Sequence, residues 1–183
     1  LFLIMSISTK TGDKGETSLF DGSRISKGSR KINSVGYIDE LNSEIGLIVS
    51  KTYSEEFESE LKIIQNELFV IGSDLATPMN TRETKRLQER HLQRIEKNVE
   101  EYESKVDISN FVLPGGTEIA SLLHIVRTQS RNVERKIVRV SEVEEINPII
   151  IKYLNRLSDL FYLMALYENR NQSKKESPVN FDI

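Results

Sequence analysis

Phe57-Glu58-Ser59-Glu60-Leu61-Lys62-Ile63-Ile64-Gln65-Asn66-Glu67-Leu68-Phe69-Val70-Ile71-Gly72-Ser73-Asp74-Leu75 carries apolar residues at 57, 61, 64, 68, 71 and 75, spaced 4-3-4-3-4. Steps of three and four keep one stripe in line on an α-helix, so this stretch predicts a bundle seam. Pro78 then ends the helix, because it has no backbone N–H to donate and its ring clashes with the preceding turn. A helix with a single apolar stripe is marginal alone, so its partners lie on either side in the chain.

Upstream, Asn33 or Ser34 is the predicted cap of a helix running to about Ser50, with Val35, Ile38, Leu41, Ile45 and Ile48 on one face. Downstream, a helix from about Thr81 to Ser104 places Leu87, Leu92, Ile95, Val99 and Tyr102 among many charges. It reads as the most solvent-exposed helix, with His91 at its surface or boundary. Phe111-Val112-Leu113-Pro114-Gly115-Gly116 closes in a turn before Thr117, a good N-cap for a fourth helix. Asn147-Pro148, a cap followed by proline at the first helical position, opens a fifth helix from Ile149 to about Glu168. That helix is apolar nearly all round and reads as the most buried. Residues 171–183 read as a polar tail, and neither a strand pair with hairpin chemistry nor a Glu-x-x-His pair stands out. The expectation is one all-α domain over residues 1–183.

The fourth helix carries Arg127, Arg131, Arg135 and Arg139 four residues apart. Their heads form one basic ridge, separated from a core face of Ile119, Leu122, Val126, Val133, Ile137 and Val140. Like charges at this spacing cost an isolated helix roughly 0.2–0.5 kcal/mol per pair, and Glu134 is the only anion nearby on the same helix. Two readings stay open at this point, a solvated basic face or a polyanion site. Asp159, on the last helix beside Asn155 and Tyr162, needs a cation or a cleft, and a ridge arginine is the expected partner. Asp39 lies off its own apolar stripe; it is either a helix-dipole carboxylate or half of an ion pair. Phe111 beside its turn is satellite core or a ligand contact.

Composition narrows the choice. Lys and Arg number 25 against 28 Asp and Glu, a formal charge of −3, so the ridge is a local concentration and not the mark of a general nucleic-acid binder. No cysteine is present, which excludes disulfides, thiolate metal sites and cysteine nucleophiles. Leu1-Phe2-Leu3-Ile4-Met5 is apolar but too short to span a bilayer. The expectation is a soluble, cytoplasmic protein with no membrane partner, starting at Leu1 or Met5. Residues 8–30 alternate glycine, hydroxyl and lysine without a helix or strand period. Such a loop offers N–H groups, hydroxyls and ammonium heads to phosphates together, although a flexible basic arm has the same composition and the Walker spacing is absent.

Four segments together resemble one family. Thr9-Lys10-Thr11-Gly12-Asp13-Lys14-Gly15, Asp39-Glu40-Leu41-Asn42-Ser43, Phe111-Val112-Leu113-Pro114-Gly115-Gly116, and Arg131-x-x-Glu134-Arg135 with Asn147-Pro148 and Tyr153-Leu154-Asn155-Arg156-Leu157-Ser158-Asp159 are similar to the ATP:cob(I)alamin adenosyltransferases of the propanediol-utilisation type. The resemblance runs in order over about residues 8–170. It implies a five-helix bundle whose N-terminal phosphate loop orders on binding, and a homotrimer with sites between subunits. It implies transfer of the 5′-deoxyadenosyl group of ATP to the reduced cobalt of cobalamin or another corrinoid, with triphosphate leaving and Mg²⁺ on the phosphates. By position it assigns the nucleotide to Thr9, Lys10, Thr11, Gly12, Thr17, Ser18, Lys27, Arg131, Glu134, Arg135 and Asn155. It assigns the corrinoid side to Asp39, Phe111 and Arg127, with Asp39 pairing Arg127 across subunits and Phe111 filling the lower corrin face. Asn132, Asp21 and Tyr37-Ile38 depart from the family's usual residues.

The residues suit that chemistry independently of the resemblance. Co(I) is itself a strong nucleophile, so the protein needs no nucleophilic side chain and no general base. What remains is to align C5′ with cobalt and to stabilise the leaving triphosphate, work for arginine forks, lysines and loop N–H groups. A non-enzymatic corrinoid- or nucleotide-binding bundle and a phosphoryl-transfer enzyme using the same loop are the alternatives.

Overall fold

A computed structural model describes residues 8, 10–19, 21–81 and 85–182. Five helices form the bundle: α1 (Arg30–Val49), α2 (Glu55–Leu75), α3 (Glu89–Glu103), α4 (Glu118–Ser141) and α5 (Ile149–Asn171). The α4–α5 pair has the most extensive contact, α1 packs on α2 and α4, and α3 packs on α5. The predicted seam of α2 is buried at all six positions, each no more than 2% exposed. Helix α5 is the most buried of the helices and α3 the least, as their apolar patterns imply. No described helix is long and apolar enough to cross a membrane.

The caps explain where the helices start. Thr117 accepts from the Ala120 N–H at 3.0 Å, as expected. Asn147 accepts from the Ile149 N–H at 3.1 Å, but Pro148 stands at the cap position and not at the first helical position, one residue later than expected. Helix α1 begins earlier than predicted. Ser29 is its cap and accepts from the Ile32 N–H at 3.2 Å, whereas Ser34 turns its hydroxyl back to the Arg30 carbonyl. Helix α3 begins later, at Glu89, because the chain before it is pinned in a non-helical path. Asp74 binds the Arg86 guanidinium and accepts from the Leu87 N–H, while Asn147 donates to the Leu87 carbonyl at 2.8 Å. Leu87 is therefore core, but from a loop.

Two further expectations are corrected. Within the phosphate-type loop, β1 (Glu16–Ser18) and β2 (Arg24–Ser26) form an antiparallel hairpin with Thr17 opposite Ile25. Its turn is closed by the Gly22 N–H donating to the Leu19 carbonyl, with Gly22 at φ +82°. Asp21-Gly22 is the hairpin dipeptide that carries this signal in the sequence. The tail is also more than polar coil. It runs back along the Phe111 turn, where Leu113 N–H donates to the Ser177 carbonyl and Val179 N–H to the Phe111 carbonyl.

Candidate functional site

The site is built on facing sides of α4 and α5, beside the turn that joins α3 to α4. Asn169, buried in α5, clamps that turn: it donates to the Gly115 carbonyl at 3.0 Å and accepts from the Thr117 N–H at 2.9 Å. The fit demands glycine at 116, which sits at φ +116° and where a Cβ would collide with the side-chain amide of Asn169. Held this way, Phe111 projects outward at 76% exposure, which rules out the satellite-core reading. Phe181 from the tail meets it edge to face, with ring centroids 6.4 Å apart.

Two cavities flank the arginine ridge. The first, about 650 Å³, has an apolar side from Ile108, Phe111, Val112 and Pro114 and a polar side from His124, Arg127, Asp159 and Tyr162. The second, about 400 Å³, is lined by Arg131, Glu134, Arg135, Arg139 and Asn155. Arg131 lines both. The ridge is therefore graded. Arg127 is half-buried, whereas Arg131, Arg135 and Arg139 are exposed.

The first cavity strains its polar groups. Burial, and then the neighbouring Arg131, lowers the Arg127 guanidinium below its usual range. Burial, and then Arg127, pushes His124 down to about 4, so its imidazole is neutral. His124 Nδ1 and Arg127 Nε are buried without a hydrogen-bond partner. Unsatisfied buried nitrogens on one wall are the kind of exception that ligand sites carry. Nothing in the sequence reading singled out His124; its position one turn before Arg127 on the same helix was the available signal.

The second cavity is better ordered. Asn155 Nδ2 donates to Glu134 at 3.3 Å, and Arg135 reaches Asn132 Oδ1 at 3.5 Å. Asp159 does not meet a ridge arginine, contrary to expectation. It pairs with Arg156, three residues earlier, at 3.1 Å, and both side chains are more than two-fifths exposed, so neither charge needed a buried partner.

The hairpin loop stands apart from both cavities. Lys10, Thr11, Ser18 and Lys27 are exposed, and Gly12 and Thr17 half-buried. Arg24 ties the loop to itself, donating to the Thr11 carbonyl at 2.8 Å and to Ser18 Oγ at 3.1 Å. The Lys27 ammonium lies so close over Gly12 that a Cβ there would come within 2.9 Å of it. None of these loop residues lines the arginine cavity of its own chain. Thr9 lies outside the described residues. Asp39 is exposed on α1 and makes no ion pair among the described residues.

Comparison with known proteins agrees with this geometry. The chain is 42% identical over 170 residues to a corrinoid adenosyltransferase of Bacillus subtilis, covering 90% of this chain and 87% of that protein. It is 35% identical over 188 residues to the human corrinoid adenosyltransferase MMAB, covering 94% of this chain and 72% of that one. A variant of the PduO-type ATP:corrinoid adenosyltransferase from Lactobacillus reuteri, solved with cobalamin and ATP, superposes with a TM-score of 0.91 at 36% identity, covering 96% of this chain and 99% of that chain. A second variant of the same enzyme, solved with ATP, gives 0.89 at 36% identity, covering 96% and 100%. The family profile described as cobalamin adenosyltransferase matches residues 7–168, so that this chain, with its ridge of arginines between two cavities, belongs to the cobalamin adenosyltransferase family.

Proposed function

We propose that the protein transfers the 5′-deoxyadenosyl group of ATP to the Co(I) centre of a corrinoid. The observation that carries this is the sharing of Arg131 between a half-apolar cavity large enough for part of a macrocycle and a groove lined by arginines. The cobalt electron pair forms the Co–C5′ bond as the C5′–O5′ bond breaks, and triphosphate departs with that bonding pair. Charge therefore develops on phosphate oxygens, and Arg131 and Arg135 are the forks available to meet it. Glu134 and Asn155 serve the nucleotide's polar edge. Phe111 offers an aromatic face to the corrin, backed by Phe181, and Arg127 with Asp39 serves the corrinoid side.

Mg²⁺ fits this site only as a phosphate-bound ion. Among the described residues no cluster of three His, Cys, Asp or Glu could hold a metal, while Glu134 and Glu142 line the groove. One or two carboxylates beside substrate phosphates are the usual protein share of an Mg²⁺ site. When bound, the ion would neutralise triphosphate charge.

The working unit we propose is a homotrimer with its sites between subunits. The loop residues Lys10, Thr11, Gly12, Thr17, Ser18 and Lys27 do not line the groove of their own chain, so the hairpin of a neighbouring copy is the natural second wall, and the resemblance adds Thr9 to it. Leu47, Ile63, Phe69 and Ile125 leave apolar surface exposed on α1, α2 and α4, as an interface between copies requires. ATP as co-substrate makes the cytoplasm its place of work. Incubation with ATP, Mg²⁺ and chemically reduced cobalamin should convert the visible spectrum to that of adenosylcobalamin and release triphosphate. Release of ADP, or no turnover under reducing conditions, would sink the assignment. Sedimentation at micromolar concentration should give three times 21.0 kDa, and a monomer would overturn the shared site.

A further inference from the structure

Between the two cavities runs a continuous polar chain: Glu134, Asn155, Arg156 and Asp159. Asn155 Nδ2 donates to Glu134 Oε1 at 3.3 Å, Arg156 Nη2 donates to Asn155 Oδ1 at 2.6 Å, and Arg156 Nη1 donates to Asp159 Oδ2 at 3.1 Å. The first two residues line the arginine groove, and the last two line the apolar-floored cavity. Asn155 and Arg156 share one shallow cavity beside α3. Consecutive residues on a helix point about 100° apart, however, so only Asn155 of the two also lines the arginine groove and only Arg156 the apolar-floored cavity, to whose face Asp159 returns. The long, planar Arg156 guanidinium bridges the two spaces through its hydrogen bonds, alongside Arg131, which lines both cavities directly.

We infer that Arg156 is a positioning residue that couples nucleotide and corrinoid binding; this rests on the adenosyltransferase reading of the two cavities. Its fork occupies the Asn155 carbonyl oxygen and so turns the Asn155 amide N–H₂ toward Glu134 and the nucleotide groove. The other arm of the same fork fixes the Asp159 carboxylate on the corrinoid side. The guanidinium is rigid and planar, so its two arms cannot adjust independently, and a shift of Asn155 by nucleotide is felt at Asp159. The effect is reciprocal, since each ligand changes the other's affinity by the same factor. Arg156 and Asp159 side chains are 41% and 44% exposed. Solvent screening therefore sets the coupling near the low end of the usual range, about fivefold.

The test uses binding without turnover. The affinity for cob(II)alamin is measured spectroscopically with no reductant, with and without ATP, for the wild type, Arg156→Lys, Arg156→Gln and Asp159→Asn. Wild type should bind cob(II)alamin about fivefold more tightly with ATP. Arg156→Lys keeps the charge but loses the fork, so each ligand alone should bind within about threefold of wild type while the ATP effect falls to about onefold. Asp159→Asn should lose it too, and Arg156→Gln should match Arg156→Lys. If the variants keep the full ATP effect, or wild type shows none, Arg156 does not couple the cavities. If wild type binds ATP but no cob(II)alamin, the adenosyltransferase reading itself fails, and this inference with it.

Discussion

On the flank of α5 that meets α2 and α3, Tyr153 donates to Glu67 at 2.5 Å, and Arg94 binds Glu67 through two nitrogens and Glu60 through a third. Burial alone would lower the Arg94 guanidinium, but its hydrogen bonds to Glu67 and Glu60 outweigh this and hold it raised. On the flank that meets α4, His124 and Arg127 each bury a nitrogen with no partner, and Arg131 points into two cavities. One helix thus serves a closed polar network on one side and an open one on the other. A closed network holds the fold, whereas an open one is completed by what binds. Substitutions on the two flanks should therefore separate stability from activity.

The largest effect should come from the closed side. Arg94→Ala leaves Glu67, only 6% exposed, without its cation, a loss of about 4 kcal/mol in stability. For a chain of this size that lowers the melting temperature by about 8–16 °C. Turnover per folded molecule, read below the transition, should stay near wild type; a proportionate loss there would show that the network also serves the site.

Arg131→Ala is the converse. Its side chain is exposed, so melting should not change, but one lost electrostatic stabiliser of a leaving group costs about 3 kcal/mol, or 10²–10³ in kcat. Arg139→Ala, at the far end of the ridge, should cost much less. A folded Arg131→Ala protein with near-native turnover would remove the ridge from the mechanism.

How far the sequence reaches differs between the same two flanks. The seam of α2, the Thr117 cap and the arginine row are local periodicities or local chemistry, and each stands where its pattern places it. The pinned segment before α3 depends on Asp74 meeting Asn147, and the tail depends on Val112 meeting Pro178. Such pairings leave no spacing signal in either partner. The ridge itself was legible, but its division into a half-buried Arg127 and an exposed remainder comes from which residues α5 sets against it. Asp159 departs from its expected ridge partner for a related reason: Arg156, three residues away, satisfies it without a long-range partner.

A smaller effect concerns His124. In the fold its imidazole is held at about 4, beside Arg127 and against the Tyr162 ring at 6.0 Å, whereas the unfolded chain titrates near 6.5. The unfolded state binds the proton more readily, so this contribution is fully present above pH 6.5 and is lost as pH falls toward 4. Between pH 6.5 and 5 the loss should be about 2 kcal/mol. Urea denaturation at both values should show it, and His124→Gln should remove that share of the slope. An unchanged slope in the variant would mean that the imidazole takes up its proton in the fold as readily as in the unfolded chain.

The smallest expected effect asks whether the open side is closed by a second subunit. Asp39 is exposed on α1 without an ion-pair partner among the described residues, and Arg127 heads a like-charged row with a buried, unpartnered nitrogen. Each would lower the other's cost if a neighbouring copy brought Asp39 to the corrinoid cavity. A double-mutant cycle on Asp39→Asn and Arg127→Lys, read as cob(II)alamin affinity of the assembled protein, should give a coupling energy of about 1 kcal/mol, the scale of residues in contact. ATP affinity should change little in either single variant, because the groove proposed for the nucleotide is lined from Arg131 onward and not by Arg127. If the single effects simply add, the two residues do not touch. Asp39 is then an ordinary exposed carboxylate of α1, since the helix starts at Arg30 and no acidic residue lies in its first turn to complement the dipole, and the open flank must be completed by ligand alone.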